Sequence, residues 1–443
     1  MLIPPTLVGI TLLVFTVTRI VPGGPIERAM QEASAGGGEE GGRTASDPRQ
    51  QGGLSEEQIE ELEEEYGYDK AIPVAYLQWL GLLPRERLVS KSDFRKGGEE
   101  AVGDALVTDP DTETLVDLKG TGRQAKVDRS GREVKAATFA DTGKEIGEAG
   151  WQVRIELPED RKKRWAKRNK STVDKAPANY DARALVFKRR FAGLAQLDLG
   201  RSTEFGDPVI DLILARIPIA LYFGLLSTLI IYGVCLPLGV AKAIMHRTPV
   251  DNVSSVFIFV GYAIPGFALG AVMLVYLGAR TGWFPMIGLE SPDADSFGAW
   301  GKPKDRAHHT VLPLICYVIG GFAWLTMMMK NNLMDNLAAD YVRTAVAKGV
   351  SFKRAVFRHA FRNSFIPIAS TLGQLITIFM GGSLLIESVF DIQGFGLLQY
   401  QALLGRDQTV IMGTLTITAF LMLLGNVISD MIVAFIDPRI KYN

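Results

Sequence analysis

Residues 341–367 read YVRTAVAKGVSFKRAVFRHAFRNSFIP, a basic stretch between two long apolar runs. Apolar side chains before and within it recur at the spacing of one helical face, which predicts a short helix from about Asn336 to Lys348. Gly349 follows the last periodic residue, where a glycine can take the left-handed backbone conformation that ends a helix. The stretch therefore predicts a hairpin of two helices over about residues 336–363, and the rest of the chain is organised around it.

The second arm of this hairpin carries a stripe of positive charge. Ser351 is expected to cap its helix, and Arg354, Arg358 and Arg362 recur every four residues, so they share one face. Apolar residues fill the positions between them and make the helix amphipathic. The residues alone leave two interpretations open: a positive loop that lies on lipid headgroups, or a surface that docks a partner protein.

The average composition hides how charge is distributed along the chain. The 443 residues include 48 basic and 48 acidic side chains and are 47% hydrophobic, values that a soluble two-domain protein could share. Charge is concentrated between about Glu27 and Asp211, and elsewhere apolar runs reach the roughly 20 residues that a helix needs to cross a bilayer. The sequence predicts an all-α polytopic membrane protein. Cys235 and Cys316 lie inside apolar runs and are expected to be core residues.

Six apolar runs are predicted transmembrane helices, at about residues 2–21, 217–241, 254–279, 310–329, 364–386 and 410–436. The loop from Lys330 to Asn363 holds seven Lys and Arg against two acids, whereas residues 280–309 hold four against four. Short loops rich in Lys and Arg stay in the cytosol, so the hairpin is predicted to be cytosolic. Six spans then place both termini in the cytosol and the segment between the first two spans outside it.

Four parts are predicted along the chain: a first transmembrane helix (1–21), a Gly-rich and helical extracytoplasmic segment (22–84), an inserted β-rich extracytoplasmic module (85–190) and a membrane core (191–443). In the second part, a Gly-rich acidic stretch is expected to be disordered. An acidic helix is expected to open at Leu54 and Ser55, and another helix to run from Tyr76 to Leu83.

The predicted β-rich module contains short alternating apolar runs bounded by Gly, Asp and Pro, which is the pattern of a small antiparallel sheet. The runs are at residues 105–109, 114–120, 124–128, 132–141 and 151–160. Residues 161–170 carry seven positive charges and a tryptophan. We interpret this basic run as a solvated face and expect no nucleic-acid partner, because the predicted topology places it outside the cytosol.

The hairpin resembles the cytosolic EAA loop of ATP-binding cassette (ABC) importer permeases, in the form carried by the oligopeptide and dipeptide family. The matching residues are Tyr341, Thr344, Ala345, Ala347, Lys348, Gly349, Arg358, His359, Ala360, Arg362, Asn363 and Pro367. Further matches begin at Glu387 and include Arg406-Asp407 and Asp437-Pro438-Arg439. The PGGP and YGYDK elements resemble the Yej-type (microcin C-like) peptide permeases. Members of that family lack residues corresponding to about 85–190.

This resemblance implies an ABC importer permease fold and a non-catalytic translocation subunit for oligopeptides or peptide-like compounds. The implied partners are a second permease subunit in a heterodimer, two ABC ATPase subunits that bind ATP and Mg, and an extracytoplasmic substrate-binding protein. No cofactor is expected on this chain, and the implied location is the bacterial inner membrane. The ATPase-coupling residues would be Tyr341, Thr344, Ala345, Ala347, Lys348, Gly349, Arg354, Arg358 and His359.

Several chemistries are excluded by the sequence. It contains no G-x-x-x-x-G-K-[ST], H-E-x-x-H or G-x-S-x-G motif, so neither ATP hydrolysis nor intramembrane proteolysis is expected on this chain, and no catalytic residue or metal site is assigned. Few ionisable residues lie within the spans, which argues against a proton- or sodium-driven carrier. Tyr262, Pro265 and Glu387 are possible pathway or gating residues. Alternative cargoes are nickel chelates, glutathione and peptide antibiotics, and a membrane-anchored scaffold is the alternative outside transport.

Overall fold

The computed structural model describes residues 3–20, 24–36, 54, 56–93, 95–96, 99–100, 112–118, 121–169, 171–176, 180, 182–372 and 383–436. Two compact units make up the chain. The membrane unit comprises Met1–Arg28 and Gly200–Asn443, and the β-rich unit comprises Ala29–Leu199.

The α-helices of the described residues are numbered in chain order. They are α1 (Ile3–Ile20), α2 (Pro25–Gly36), α3 (Glu56–Glu65), α4 (Ile72–Trp79), α5 (Pro158–Arg168), α6 (Val209–Ile244), α7 (Pro249–Ala263), α8 (Gly266–Met273), α9 (Gly301–Ala338), α10 (Asp340–Ala347), α11 (Phe352–Ala355), α12 (Phe361–Ala369), α13 (Leu384–Phe390), α14 (Phe395–Leu404) and α15 (Gln408–Ile436). Two π-helical turns, Leu274–Arg280 and Val356–Ala360, follow α8 and α11.

Four helices of the described residues, α1, α6, α9 and α15, are long and apolar enough to cross a membrane. The pair formed by Pro249–Ala263 and Gly266–Arg280 reaches the same length and hydropathy but is bent by 89°. These elements correspond to five of the six predicted spans. Of the remaining span, predicted over 364–386, residues 373–382 lie outside the described part of the chain.

The bend in the third predicted span has a local cause. Ile264 is extended, with φ of −93° and ψ of 119°, and Pro265 follows it as the N-cap of α8. A proline disfavours helical geometry in the residue before it and has no N–H for the helix. Gly266 then packs against α9, since a Cβ added there would lie 2.7 Å from the Cys316 carbonyl oxygen. The kink therefore rests on a close approach that glycine permits.

The β-rich unit contains β1 (Arg85–Asp93), β2 (Arg95–Lys96), β3 (Glu99–Glu100), β4 (Thr112–Leu118), β5 (Arg123–Ser130), β6 (Glu133–Phe139), β7 (Trp151–Glu156) and β8 (Arg183–Arg190). Antiparallel pairing gives three sheets of the described strands, ordered β1-β8-β7, β2-β3 and β4-β5-β6. The two three-stranded sheets share one core, which includes Val116, Val127, Ile155 and Val186. The first and last strands meet, with Arg85 opposite Arg190.

Several sequence-based expectations for this unit need correction. Pro25–Gly36 is helical where disorder is predicted, while residues 37–53 of that stretch lie outside the described residues, as does the predicted run at 105–109. The helix predicted over Tyr76 to Leu83 runs instead from Ile72 to Trp79. It can start earlier because Pro73 fits a first helical turn, and it stops before Gly81, whose φ is +80°.

The basic run at 161–170 is only partly a solvated face. It forms most of α5, and Arg161 is buried against Glu60 of the acidic helix α3, with nitrogen–oxygen distances of 3.1 to 3.3 Å. Arg183 of β8 lies 2.9 Å from the same carboxylate. Burial and the nearby carboxylates of Glu56 and Glu60 raise the pKa of the Tyr180 hydroxyl to about 12. Part of the basic stretch therefore pairs with the acidic helix α3, while Lys163 and Lys167 are exposed to solvent.

Candidate functional site

The turn of the hairpin is a paired hydrogen-bond motif that ends α10. Gly349 has φ of +87°, in the left-handed region that the sequence predicts. The Val350 N–H donates to the Ala345 carbonyl at 3.1 Å, and the Gly349 N–H donates to the Val346 carbonyl at 2.9 Å. These two bonds are those of a Schellman motif, so they satisfy carbonyl groups that the helix end would otherwise leave open. The direction of the second arm thus depends on one left-handed residue.

The first arm begins later than predicted. Helix α9 continues from the membrane to Ala338, and Ala339 is extended, with φ of −68° and ψ of 147°, before α10 starts at Asp340. The Tyr341 hydroxyl donates to Asn336 Oδ1 at 2.5 Å and so bridges the break. Tyr341 therefore helps to fix the angle at which the hairpin leaves α9.

The second arm is not a uniform α-helix. Ser351 occupies the N-cap position, as predicted, but within the described residues its side chain makes no capping hydrogen bond. A π-helical turn, Val356–Ala360, then separates α11 from α12. The extra residue of a π-turn shifts the faces on either side of it, and here Ala355, Val356 and Ala360 are all buried.

The inner face of the hairpin belongs to the core of the membrane unit. Val342 of the first arm and Val356 of the second are at most 3% exposed. They pack in one cluster with Val240 of α6 and with Met329 and Leu333 of α9. The inner face of the hairpin is therefore close-packed against both of these long helices.

The outer face presents the predicted coupling residues. Those exposed to solvent are Tyr341, Thr344, Ala347, Lys348, Gly349, Arg354 and Arg358, whereas Ala345 and His359 are half-buried. The same face exposes Val346, Phe352 and Phe357, which the sequence analysis did not assign to the site. The sequence already contained the information needed to include them, because large apolar residues beside an arginine stripe favour a protein-docking surface over a solvated loop. We call all of these exposed residues, the predicted coupling residues together with Val346, Phe352 and Phe357, the outer face of the hairpin.

A buried charge cluster that the sequence analysis did not predict lies at the hairpin end of α6 and α9. Lys330 Nζ donates to both carboxylate oxygens of Asp251, at 2.7 and 2.8 Å, and Lys242 Nζ lies 2.9 Å from Asp251 Oδ1. Each residue is at most 7% exposed. Because a buried charge is costly unless paired, Asp251 holds the start of α7 against both long helices.

Glu387, a predicted pathway or gating residue, is 2% exposed. Its carboxylate accepts hydrogen bonds from the Tyr317 hydroxyl at 2.9 Å and from the Leu397 N–H at 2.7 Å. The second bond caps the first turn of α14, where a carboxylate also interacts favourably with the helix dipole. A Cβ added at Gly394 would lie 2.5 to 2.8 Å from the same carboxylate, so glycine makes room for it.

The other two predicted pathway residues lie at the bend of the third span. Tyr262 is exposed on the last turn of α7, and Pro265 is the N-cap of α8. The bend lies beside the segment that carries Glu387, because a Cβ added at Gly266 would be 3.3 Å from Ile386 Cδ1. The structure therefore brings Pro265 and Glu387 into neighbouring segments, with Tyr262 facing outward.

The Arg406-Asp407 element is also structural. Asp407 is fully buried and accepts hydrogen bonds from the Ser202 hydroxyl at 2.6 Å, the Thr203 N–H at 2.8 Å and the Val410 N–H at 3.1 Å. It thereby caps α15 and fixes the segment that precedes α6. Among the described residues no cluster of His, Cys, Asp and Glu could hold a metal ion.

Comparison with known proteins identifies the fold of the membrane unit. The family described as "Binding-protein-dependent transport system inner membrane component" matches residues 235–442. The "Inner membrane ABC transporter permease protein YejB" of Escherichia coli O157:H7 is 42% identical over 250 residues, which cover 56% of this chain and 69% of that protein. This chain belongs to that family. It is the permease component of an ABC importer, a non-catalytic membrane subunit of the inner membrane.

Two further relatives of the permease are close in sequence. The "Peptidoglycan transport system permease protein YejB" of Agrobacterium fabrum is 37% identical over 250 residues, covering 56% of this chain and 69% of that protein. The "Oligopeptide transport system permease protein AppB" of Bacillus subtilis is 35% identical over 263 residues, covering 59% of this chain and 82% of that protein. The family match of the permease includes the whole hairpin, whereas β1 to β8 lie outside it.

Proposed function

We propose that this permease imports oligopeptides or peptide-like compounds and that the outer face of the hairpin docks its ATPase partner. The cargo is supported by the printed names of the relatives, among them an oligopeptide and a peptidoglycan permease. The docking role is supported by the separation of the hairpin into a buried inner face and an outer face of exposed apolar and basic residues. This separation is the observation that carries the proposal, because the inner face ties the hairpin to α6 and α9 while the outer face keeps its apolar and basic side chains available to a partner.

The proposed assembly has one copy of this permease, a second permease subunit, two ABC ATPases and an extracytoplasmic substrate-binding protein. ATP and Mg bind the ATPases. Their closure would move the hairpin, and the packing of Val342 and Val356 against α6 and α9 would pass that motion to the membrane helices. A pathway between the helices would then alternate between outward and inward access.

The proposed topology has six transmembrane helices with both termini in the cytosol. The fifth of them in chain order would be formed around residues 364–386, and the β-rich module of residues 85–190 would be extracytoplasmic. The excess of Lys and Arg in the hairpin loop supports this orientation, because such loops are retained in the cytosol. Tyr262, Pro265 and Glu387 are proposed to shape the pathway near the bend of the third span.

The test is ATP-driven uptake by the complete complex in proteoliposomes. Labelled oligopeptides should accumulate only with ATP, Mg and the binding protein, and at rates above those for labelled glutathione or a nickel chelate. Uptake of glutathione or the chelate alone would assign the related cargo instead. A complex that forms without any ATPase bound, and shows no ATP-dependent uptake of these solutes, would refute the importer assignment for this subunit.

A further inference from the structure

Exposed apolar residues lie on the two segments of the β-rich unit that precede β1 and follow β8. The most exposed of them are Leu82 at 60%, Phe191 at 61% and Leu197 at 71%, and Val74, Leu77 and Leu83 are also exposed. We call these six residues the root patch. Apolar residues gathered at one place on a surface mark a site of interaction, whereas scattered ones do not.

Backbone hydrogen bonds join the two segments that carry the root patch. The N–H groups of Leu82 and Leu83 both donate to the Leu77 carbonyl, at 2.9 and 3.2 Å. The Ala195 N–H donates to the Leu80 carbonyl at 3.0 Å, which joins the segment that carries Phe191 and Leu197 to the first. The root patch is therefore carried by two segments that are in direct contact, although they are more than a hundred residues apart in sequence.

Positive charge borders the root patch. Arg85 and Arg190 face each other at the adjoining ends of β1 and β8, and the exposed Arg189 precedes Arg190. Two carboxylates offset part of this charge: Asp198 acts on Arg85, and Glu86 lies 3.4 Å from Arg189. Apolar side chains beside arginines fit the headgroup region of a bilayer, where guanidinium groups bind anionic lipids, as well as they fit a protein partner, so the pattern alone does not choose between the two.

The short segment that connects the β-rich unit to helix α6 favours lipid as the occupant of the root patch. Leu199 ends the β-rich unit and Val209 begins the membrane-spanning helix α6, ten residues later. Even fully extended, ten residues reach only about 35 Å, so the root patch is confined near a membrane surface. Confinement of this kind makes a weak contact effective because it acts as a high local concentration.

We propose that the root patch and its arginine border seat the β-rich unit on the surface of the bilayer, with anionic phospholipids as the partner. The apolar side chains enter the headgroup region, and Arg189 and Arg190 contact lipid phosphates. This contact limits the freedom of the unit relative to the membrane. It goes beyond the import function and does not depend on the cargo.

The test uses the full permease with its partner subunits in lipid nanodiscs. A fluorophore is attached at Leu82→Cys or Leu197→Cys, and the matched control is Glu159→Cys, an exposed site next to the far end of β7. In the sheet, Glu156 at that end of β7 lies opposite Arg183 of β8. Arg183 and Arg190 are seven residues apart on β8, so the control site is about 23 Å of strand away from the arginine border. Lipids with nitroxide-labelled headgroups should quench the first two labels several-fold more than the control.

Two further results decide the proposal. Quenching at the root patch should rise with the fraction of anionic lipid and fall in the Arg189→Gln/Arg190→Gln variant, while uptake shows that each labelled complex is folded. Equal quenching at all three sites would overturn the proposal. The proposal would also be overturned if the labels at positions 82 and 197 were shielded from aqueous iodide but were not quenched by the labelled lipids. A protein, and not lipid, would then cover the root patch.

Discussion

Replacing Gly349 tests how much coupling depends on the left-handed turn. No described atom lies within 4 Å of a Cβ added at this position, so a larger residue meets no steric obstacle. The cost is then that of the backbone, about 1 to 2 kcal/mol for a residue with a side chain and more for a β-branched one. An energy of that size changes a conformational equilibrium roughly 5- to 30-fold. Gly349→Val should therefore depopulate the native turn without unfolding the membrane unit.

The assay is ATP-driven uptake and substrate-stimulated ATP hydrolysis by the reconstituted complex. We expect both to fall in Gly349→Val and to fall less in Gly349→Ala. Gly349→Asn is the matched control, because asparagine adopts the left-handed conformation more readily than other residues with side chains. Normal coupled uptake by Gly349→Val, at wild-type abundance, would refute the reasoning that this turn transmits the motion of the ATPase.

Three other predictions concern topology, the inserted module and its charge cluster. A membrane-impermeant thiol reagent should label Ser130→Cys from outside intact cells and Lys353→Cys only after the cytosolic face is opened; labelling of both from one side would contradict the six-span topology. Removing residues 85–190 and joining the flanks with a short linker should leave assembly and uptake measurable, because the paired ends of β1 and β8 bring the flanks together; a loss of membrane insertion would show that the module is required. Glu60→Ala should destabilise the β-rich unit by about 3 to 5 kcal/mol, because it removes the buried carboxylate that Arg161 and Arg183 share, whereas the exposed Glu159→Ala should have little effect in the same thermal-unfolding and proteolysis assay. Equal stability of the two variants would contradict the assignment of a buried ion cluster.

Features set by local sequence could be predicted. The left-handed Gly349 follows from helix periodicity that ends at a glycine, and the long apolar helices follow from uninterrupted hydrophobic runs. The bend at Pro265 was not predicted, although its cause, a proline within the third span, is local. In each case the deciding interaction lies within a few residues along the chain.

Features set by distant residues could not be predicted in this way. Asp251 and Lys330 are 79 positions apart, and Glu60 and Arg161 are 101 positions apart, so neither pair has a local signature. Strand β8 was missed because its buried residues form a continuous run, which lacks the alternation of a half-buried strand. The π-turn in the second arm was missed because α-helical and π-helical spacings differ by a single residue.

The central claim, that the outer face of the hairpin docks the ATPase, is tested most directly by site-specific crosslinking in the assembled transporter. A photoreactive amino acid replaces either Phe352, which is 54% exposed on the hairpin, or Trp300, which is 88% exposed at the opposite end of α9. The 38 residues of that helix span about 57 Å, so the two probes sample different sides of the bundle. We predict ATPase crosslinks from position 352 and not from position 300. A transport-active complex with no ATPase crosslink at 352, or with equal crosslinks at both positions, would contradict the account.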